Sequence, residues 1–280
     1  MAKSNGKTAL ITGSTDGVGR VVAERLAAGD WRVLVHGRDR TRGESLVAKI
    51  KADGGDAEFL QADLSAMAEV RRLAEAVQKA TPRLQLLINN AGLGSGVART
   101  NRQTSADGHE LLFAVNYLAG FLLTHRLLPL IKNSAPARIV NVSSLGQQAI
   151  DFDDVMLERD YSGSRAYCQS KLAQILFTID LARELSGSSV TVNTLHPATY
   201  MNTTMVRQAG VTPTSSVEQG ADAILELALG PELEGKSGLY FNGQREARAD
   251  AQAYDAHARQ KLRELSAKLT GLSANEGVPS

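Results

Sequence analysis

Residues 8–28 read TALITGSTDGVGRVVAERLAA. Thr8–Thr12 is a short β-rich run, Thr12–Gly19 a glycine turn, and Val18–Ala28 a stretch with helical spacing of its apolar residues. A strand that passes through glycines straight into a helix predicts the opening βα unit of a parallel sheet. In this TGxxxGxG turn, Gly13 permits a tight bend, Gly17 lets the backbone approach a bound group, and Gly19 allows close helix–strand contact.

The same alternation continues outward. Trp31–His36, Ala57–Gln61, Leu84–Asn89, Arg138–Val142, Ser189–Leu195 and the weaker Leu239–Phe241 are further β-rich runs, separated by helical stretches. Runs with so little polar interruption suit strands covered on both faces. No linker rich in Pro, Gly or Ser divides the chain, and no internal repeat is present. The expectation is α/β: a single Rossmann-like, doubly wound domain over residues 1–280 with a seven-stranded parallel sheet. Its cofactor half is expected at about 1–135 and its catalytic and substrate half at about 136–280. Leu145–Gly163 and Tyr200–Ser216 follow the fifth and sixth strands, where open sheets of this kind bind ligands. The tail, Arg248–Leu272, predicts an amphipathic helix docked through Tyr254, Leu262, Leu265 and Leu269.

The 280 residues carry a formal net charge of +1 and one cysteine. A near-neutral chain has no overall field for polyanions, and no basic stripe with interleaved aromatics is present, so no nucleic-acid partner is expected. A single cysteine excludes an internal disulfide and a multi-cysteine metal site. The histidines are scattered without carboxylate or cysteine partners at ligand spacing, so no metal is expected. The densest apolar run, Phe121–Ile131, is interrupted by His125 and Arg126, and the opening residues lack a signal-peptide pattern. The expectation is a cytoplasmic protein with no membrane partner.

A strand–glycine turn–helix unit offers exposed amides at a helix start, where the dipole favours a diphosphate. Gly13, Ser14, Thr15, Asp16, Gly17, Val18 and Gly19 are therefore candidate contacts to a dinucleotide. An acidic residue after the second strand would repel a 2′-phosphate; this chain has Gly37 and Arg38 instead, which favours NADP(H) over NAD(H). Asp39 and Asp16 dilute that positive charge. Asp63 and Leu64, after the third strand, are candidates to line the adenine. Tyr167 and Lys171 lie four apart on one helical face, so an ammonium can stabilise a phenolate beside it. Ser143 and Ser144 close the fifth strand, and Asn116 is a polar residue in an apolar helix. Cys168 lies one step off the Tyr167–Lys171 face.

With TGSTDGVG, Asn89-Asn90-Ala91-Gly92, Asn116, VNVSS, YCQSK and LHP in this order, the sequence resembles the short-chain dehydrogenase/reductase family. Within it, NYLAGFLLTHRLLPLIKNSAPARIVNVSS and YCQSKLAQILFT are similar to the retinol-dehydrogenase-like branch. The resemblance implies Asn116, Ser144, Tyr167 and Lys171 as a catalytic tetrad. It also implies Asn90, Ala91, Gly92, Pro197, Ala198 and Thr199 as cofactor contacts, with Tyr167 and Lys171 reaching the nicotinamide ribose. It departs from the family at Ala198, where glycine is common, and at Asn202, where a threonine is expected and Thr203 and Thr204 are adjacent. The function implied is hydride transfer between NADP(H) and a carbonyl or alcohol on a small apolar substrate, with Tyr167 as acid/base. C=C reduction and dinucleotide sensing without chemistry stand as alternatives. Gly94–Val97, Leu145–Gly163 and Tyr200–Arg207 are expected to shape the pocket, with Phe152, Met156 and Met205 as apolar candidates. The segment between Ser144 and Tyr167 is longer than in most of the family, and the resemblance to this branch implies a monomer or homodimer rather than a tetramer.

Overall fold

A computed structural model describes residues 6–98 and 101–272; the two ends of the expected 1–280 domain lie outside the described residues. Strand β1 (Thr8–Ile11) is buried throughout, as a β-branched and apolar segment between two helical layers should be. The glycine turn leads from it into α1 (Gly17–Ala28). There follow β2 (Arg32–Gly37), α2 (Arg40–Ala52), β3 (Asp56–Gln61), α3 (Met67–Ala80) and β4 (Leu86–Asn89). A helical run then comprises α4 (Leu111–Phe113), a π-helical turn at Ala114–Leu118, and α5 (Ala119–Lys132). The chain continues through β5 (Ala137–Val142), α6 (Gly163–Glu184), β6 (Val190–His196), α7 (Thr204–Gln208) and α8 (Val217–Leu229). It closes with β7 (Tyr240–Asn242), β8 (Arg245–Ala247) and α9 (Ala256–Thr270).

The sheet order is β3-β2-β1-β4-β5-β6-β7-β8. After β1 the chain builds outward to β3, then crosses back to place β4 on the other side of β1. That reversal opens a crevice at the carboxyl ends of β1 and β4. Alternate residues feed two cores. Leu10, Leu34 and Leu87 face the layer of α3, α5, α6 and α9, while Ile11, Val35 and Ile88 face α1 and α8.

Three expectations need correction. The sheet has eight strands, not seven, and β8 runs antiparallel to β7. Its sequence, REA, has no β-rich residue to announce it, and its exposed Arg245 and Glu246 suit a charged edge strand. Secondly, Leu111–Lys132 is long and apolar enough to cross a bilayer by those two criteria, and His125 does not interrupt it. The most apolar stretch of this run is 78% buried inside the fold, and His125 itself is buried, its Nδ1 2.8 Å from the Phe121 carbonyl. Thirdly, Tyr254 lies in a 3-10 turn before α9 and is exposed, its hydroxyl accepting from the Ala249 amide at 3.0 Å. Ala258 and Leu262 carry the docking of α9, with Leu265 and Leu269 packed against the same core.

Candidate active site

The end of β1 and the loop after β4 are stitched together before any ligand is considered. The Thr12 hydroxyl accepts from the amides of both Asn90 and Ala91 at 3.0 Å. The Asn90 side chain donates to the carbonyls of Thr12 and Gly13 at 2.9 and 3.1 Å. A Cβ at Gly13 would lie 2.8 Å from the Ala91 Cα, and one at Gly19 would lie 2.4 Å from the Asn90 amide nitrogen. Both positions therefore require glycine for this close approach, and Gly13 also holds φ +64°. His36 adds a further support: its Nδ1 accepts from the Gly13 amide at 3.1 Å, and burial holds its pKa at about 4, so it stays neutral. Ser14 is wholly buried; its hydroxyl donates to the Ile11 carbonyl and accepts from the His36 amide. With its own amide on the His36 carbonyl, Ser14 shapes the turn rather than facing the crevice.

The helix start is different. Asp16 caps α1 by accepting from the Gly17 amide at 2.7 Å, while the amides of Val18 and Gly19 have no partner among the described residues. The second Asp16 oxygen accepts from the Thr204 hydroxyl at 2.8 Å and lies 3.5 Å from Arg42. Thr15 stands at the end of β2, packed where a Cβ on Gly37 would fall. Arg38 is exposed there, 4.0 Å from Asp63. Asp63 is not the cap of α3; it accepts from the Ser65 amide in a local turn, and Leu64 behind it is buried. Free first-turn amides at a helix start, together with an exposed cation at the end of β2, fit a dinucleotide carrying phosphate groups.

The reacting groups come from four elements. Asn116 occupies the π-helical turn, where it is buried. Its side chain accepts from the Leu93 amide at 2.7 Å and donates to the Leu93 carbonyl and the Ser170 hydroxyl. These bonds tie Asn116 to the β4 loop and to α6. Ser143 and Ser144 divide their work: Ser143 bonds the Leu195 carbonyl of β6, whereas Ser144 accepts from the Gly146 amide and stands beside Tyr167, whose ionised form it favours. Burial pushes the phenol pKa up and the Ser144 contact lowers it, leaving it above its ordinary value. Tyr167 and Lys171 share a face of α6, the ammonium 5.8 Å from the ring centroid. Lys171 is buried, and burial alone lowers its pKa to about 7. Its Nζ donates to the Val142 carbonyl and to Gln174 Oε1, both at 3.0 Å. Gly92 faces Asn116 and Lys171 together.

The segments expected to form the pocket behave unequally. Leu145, Val97, Tyr200 and Met205 are exposed, and Met205 packs against Gly94. Phe152 and Met156 instead pack on the core. Pro197 is buried, Ala198 half-buried, and Thr199 exposed, its hydroxyl 3.1 Å from His196 Nε2. Asn202 bonds Arg207, Thr203 caps α7 and Thr204 bonds Asp16, so α7 is tied to the glycine turn. Cys168 is half-buried and burial raises its thiol pKa. Sequence reasoning missed Thr12, His36 and Gln174. Thr12 and His36 are polar residues at the ends of apolar strands, a signal that becomes specific only once those strands are neighbours.

The family model for short chain dehydrogenases matches residues 7–213. Retinol dehydrogenase 13 of Mus musculus is 37% identical, with 98% of this chain and 86% of that protein covered. Among solved structures, an uncharacterised protein from Mycobacterium paratuberculosis superposes with a TM-score of 0.77 at 28% identity, over 96% of this chain and 95% of that one. RhlG of Pseudomonas aeruginosa, in an NADP active-site complex, gives a TM-score of 0.66 at 29% identity, over 86% and 96%. The matched span holds the glycine turn and the Tyr167–Lys171 face alike, and the chain belongs to the short chain dehydrogenase family of oxidoreductases.

Proposed function

We propose that this protein is an NADP(H)-dependent oxidoreductase that interconverts a carbonyl and an alcohol on a small apolar substrate. The observation that carries the reading is the convergence of Ser144, Tyr167 and Lys171, with the Lys171 ammonium 5.8 Å from the Tyr167 ring centroid and Ser144 favouring the ionised phenol. The turn from Gly13 to Gly19 would hold the diphosphate and Arg38 the 2′-phosphate, with Asp63 and Leu64 beside the adenine. Asn90–Gly92, Pro197–Thr199 and Lys171 would hold the nicotinamide end. When bound, NADPH supplies the hydride. The structure of RhlG with NADP supports this cofactor, and the names of the retinol dehydrogenase relatives support an apolar alcohol or its carbonyl.

Ser144 orients the substrate oxygen through its hydroxyl. Tyr167, a phenol that burial holds above its ordinary pKa, donates a proton to that oxygen during reduction and takes one back during oxidation. Lys171 favours the phenolate left behind while its own charge is retained. Asn116 fixes the Leu93 backbone and, through Ser170, the turn of α6 that carries Tyr167. Exposed Leu145 and Met205 present apolar surface to the guest.

The test is Tyr167→Phe, assayed with NADPH against a panel of aldehydes and ketones with product identification. NADPH binding, followed by its fluorescence, should persist while turnover falls at least a hundredfold. Normal turnover in the variant would overturn the mechanism. NADPH binding by the wild-type chain without oxidation across the panel would favour a sensor.

A further inference from the structure

Gln174 stands in an apolar, buried stretch of α6, between Leu172-Ala173 and Ile175-Leu176-Phe177. A buried amide in such a place is costly unless its hydrogen bonds are made. Its Oε1 lies 3.0 Å from Lys171 Nζ, three residues earlier on the same helix. An ammonium donates and never accepts, so the facing atom is the amide oxygen. Of the three N–H groups on Lys171, one goes to the Val142 carbonyl, one to Gln174, and the third remains for a ligand.

Among the described residues, no opposite charge shares the work. From α6 the titratable neighbour is Tyr167, and the other elements around the ammonium present Val142 of β5, Gly92 of the β4 loop and Asn116 of the π-helical turn, all neutral. Desolvation is the sole cause of the lowered lysine pKa, with no carboxylate opposing it. The helix around Gln174 is held in turn by a ladder of buried polar groups. The Gln174 carbonyl accepts from Thr178, whose hydroxyl accepts from Asn141, whose amide oxygen accepts from Asn89, each at 2.8 Å.

We propose that Gln174 is a positioning residue, whose amide oxygen holds the Lys171 ammonium charged and in place beside Tyr167. This rests on the catalytic reading of Tyr167 and Lys171, and its test separates the two. The full-length chain, labelled with 13C at lysine Cε, is titrated from pH 5.5 to 10, the Lys171 signal being assigned by its loss in Lys171→Arg. Gln174→Met, which keeps the volume and removes the acceptor, should lower the Lys171 midpoint by about one unit or more. Gln174→Glu should raise it by at least as much, and it decides the matter alone if the Met variant does not fold. An unchanged midpoint in the folded variants overturns the proposal.

With NADPH and a carbonyl substrate, Gln174→Met should lose about tenfold in kcat at pH 7.5, with the loss shrinking toward pH 6 as the ammonium is restored. A loss equal at every pH marks a merely structural role and also overturns it. A wild-type chain that turns nothing over sinks the catalytic reading, while the lysine titration still decides the role of Gln174.

Discussion

Arg38 is a single side chain on which the choice between two cofactors turns. It is exposed at the end of β2, and its nearest carboxylate, Asp63, is 4.0 Å away. An ion pair that long between exposed groups is weak, so the guanidinium remains available for a phosphate. Arg38→Asp should lower NADPH affinity by about tenfold or more and leave NADH affinity nearly unchanged, because only NADPH carries the 2′-phosphate. Direct titration of both nucleotides checks this, and an unaltered affinity ratio removes Arg38 from the phosphate site. Arg38 was legible in the sequence because it directly follows the strand end. His36 was not, since its bond to the Gly13 amide joins residues 23 apart that meet only when β1 and β2 pair.

Helix α9 shows what an element gains from its partners. Its sequence predicts an amphipathic helix, but one bond that seats it, between Tyr117 of the π-helical turn and Ser266, whose oxygens are 2.7 Å apart and buried, joins distant segments. Ser266 already donates to the Leu262 carbonyl at 2.6 Å, so the phenol is the donor between the two. Ser266→Ala therefore strands a buried phenol O–H and should cost about 1–3 kcal/mol. Tyr117→Phe leaves Ser266 satisfied and should cost less than Ser266→Ala. Urea unfolding of both variants checks the order, and a larger loss in Tyr117→Phe would contradict the assigned direction. The π-helical turn itself was not legible: AVNYL has no residue that demands a wider turn, and the turn is supported by the bonds of Asn116 to Leu93 and Ser170.

Among the described residues, two of the three buried histidines stand at strand ends, the third being His125 in α5. His36 ends the apolar part of β2 and His196 ends β6, and burial holds each at a pKa of about 4. As pH falls from about 6.5 toward 4, the unfolded chain takes up protons that these folded histidines refuse. The unfolded state is then favoured, so stability falls with pH through that window. His196→Gln should remove part of that slope in urea-unfolding free energies compared between pH 7 and 4.5. An identical slope would show that His196 is not held neutral by the fold. Strands β2 and β6 lie on either side of the sheet's topological switch, where the order passes from β1 to β4.

The sequence by itself determined the alternation of strands and helices, the glycine turn, and the four-residue spacing of Tyr167 and Lys171, because each depends on neighbours along the chain. Tertiary structure alone decided that Asn116 bonds Leu93 and Ser170, that Ser143 bonds the Leu195 carbonyl, and that burial strips the Lys171 ammonium of solvent. These depend on which distant segments meet and on how much water is excluded when they do, and neither quantity is written in local spacing.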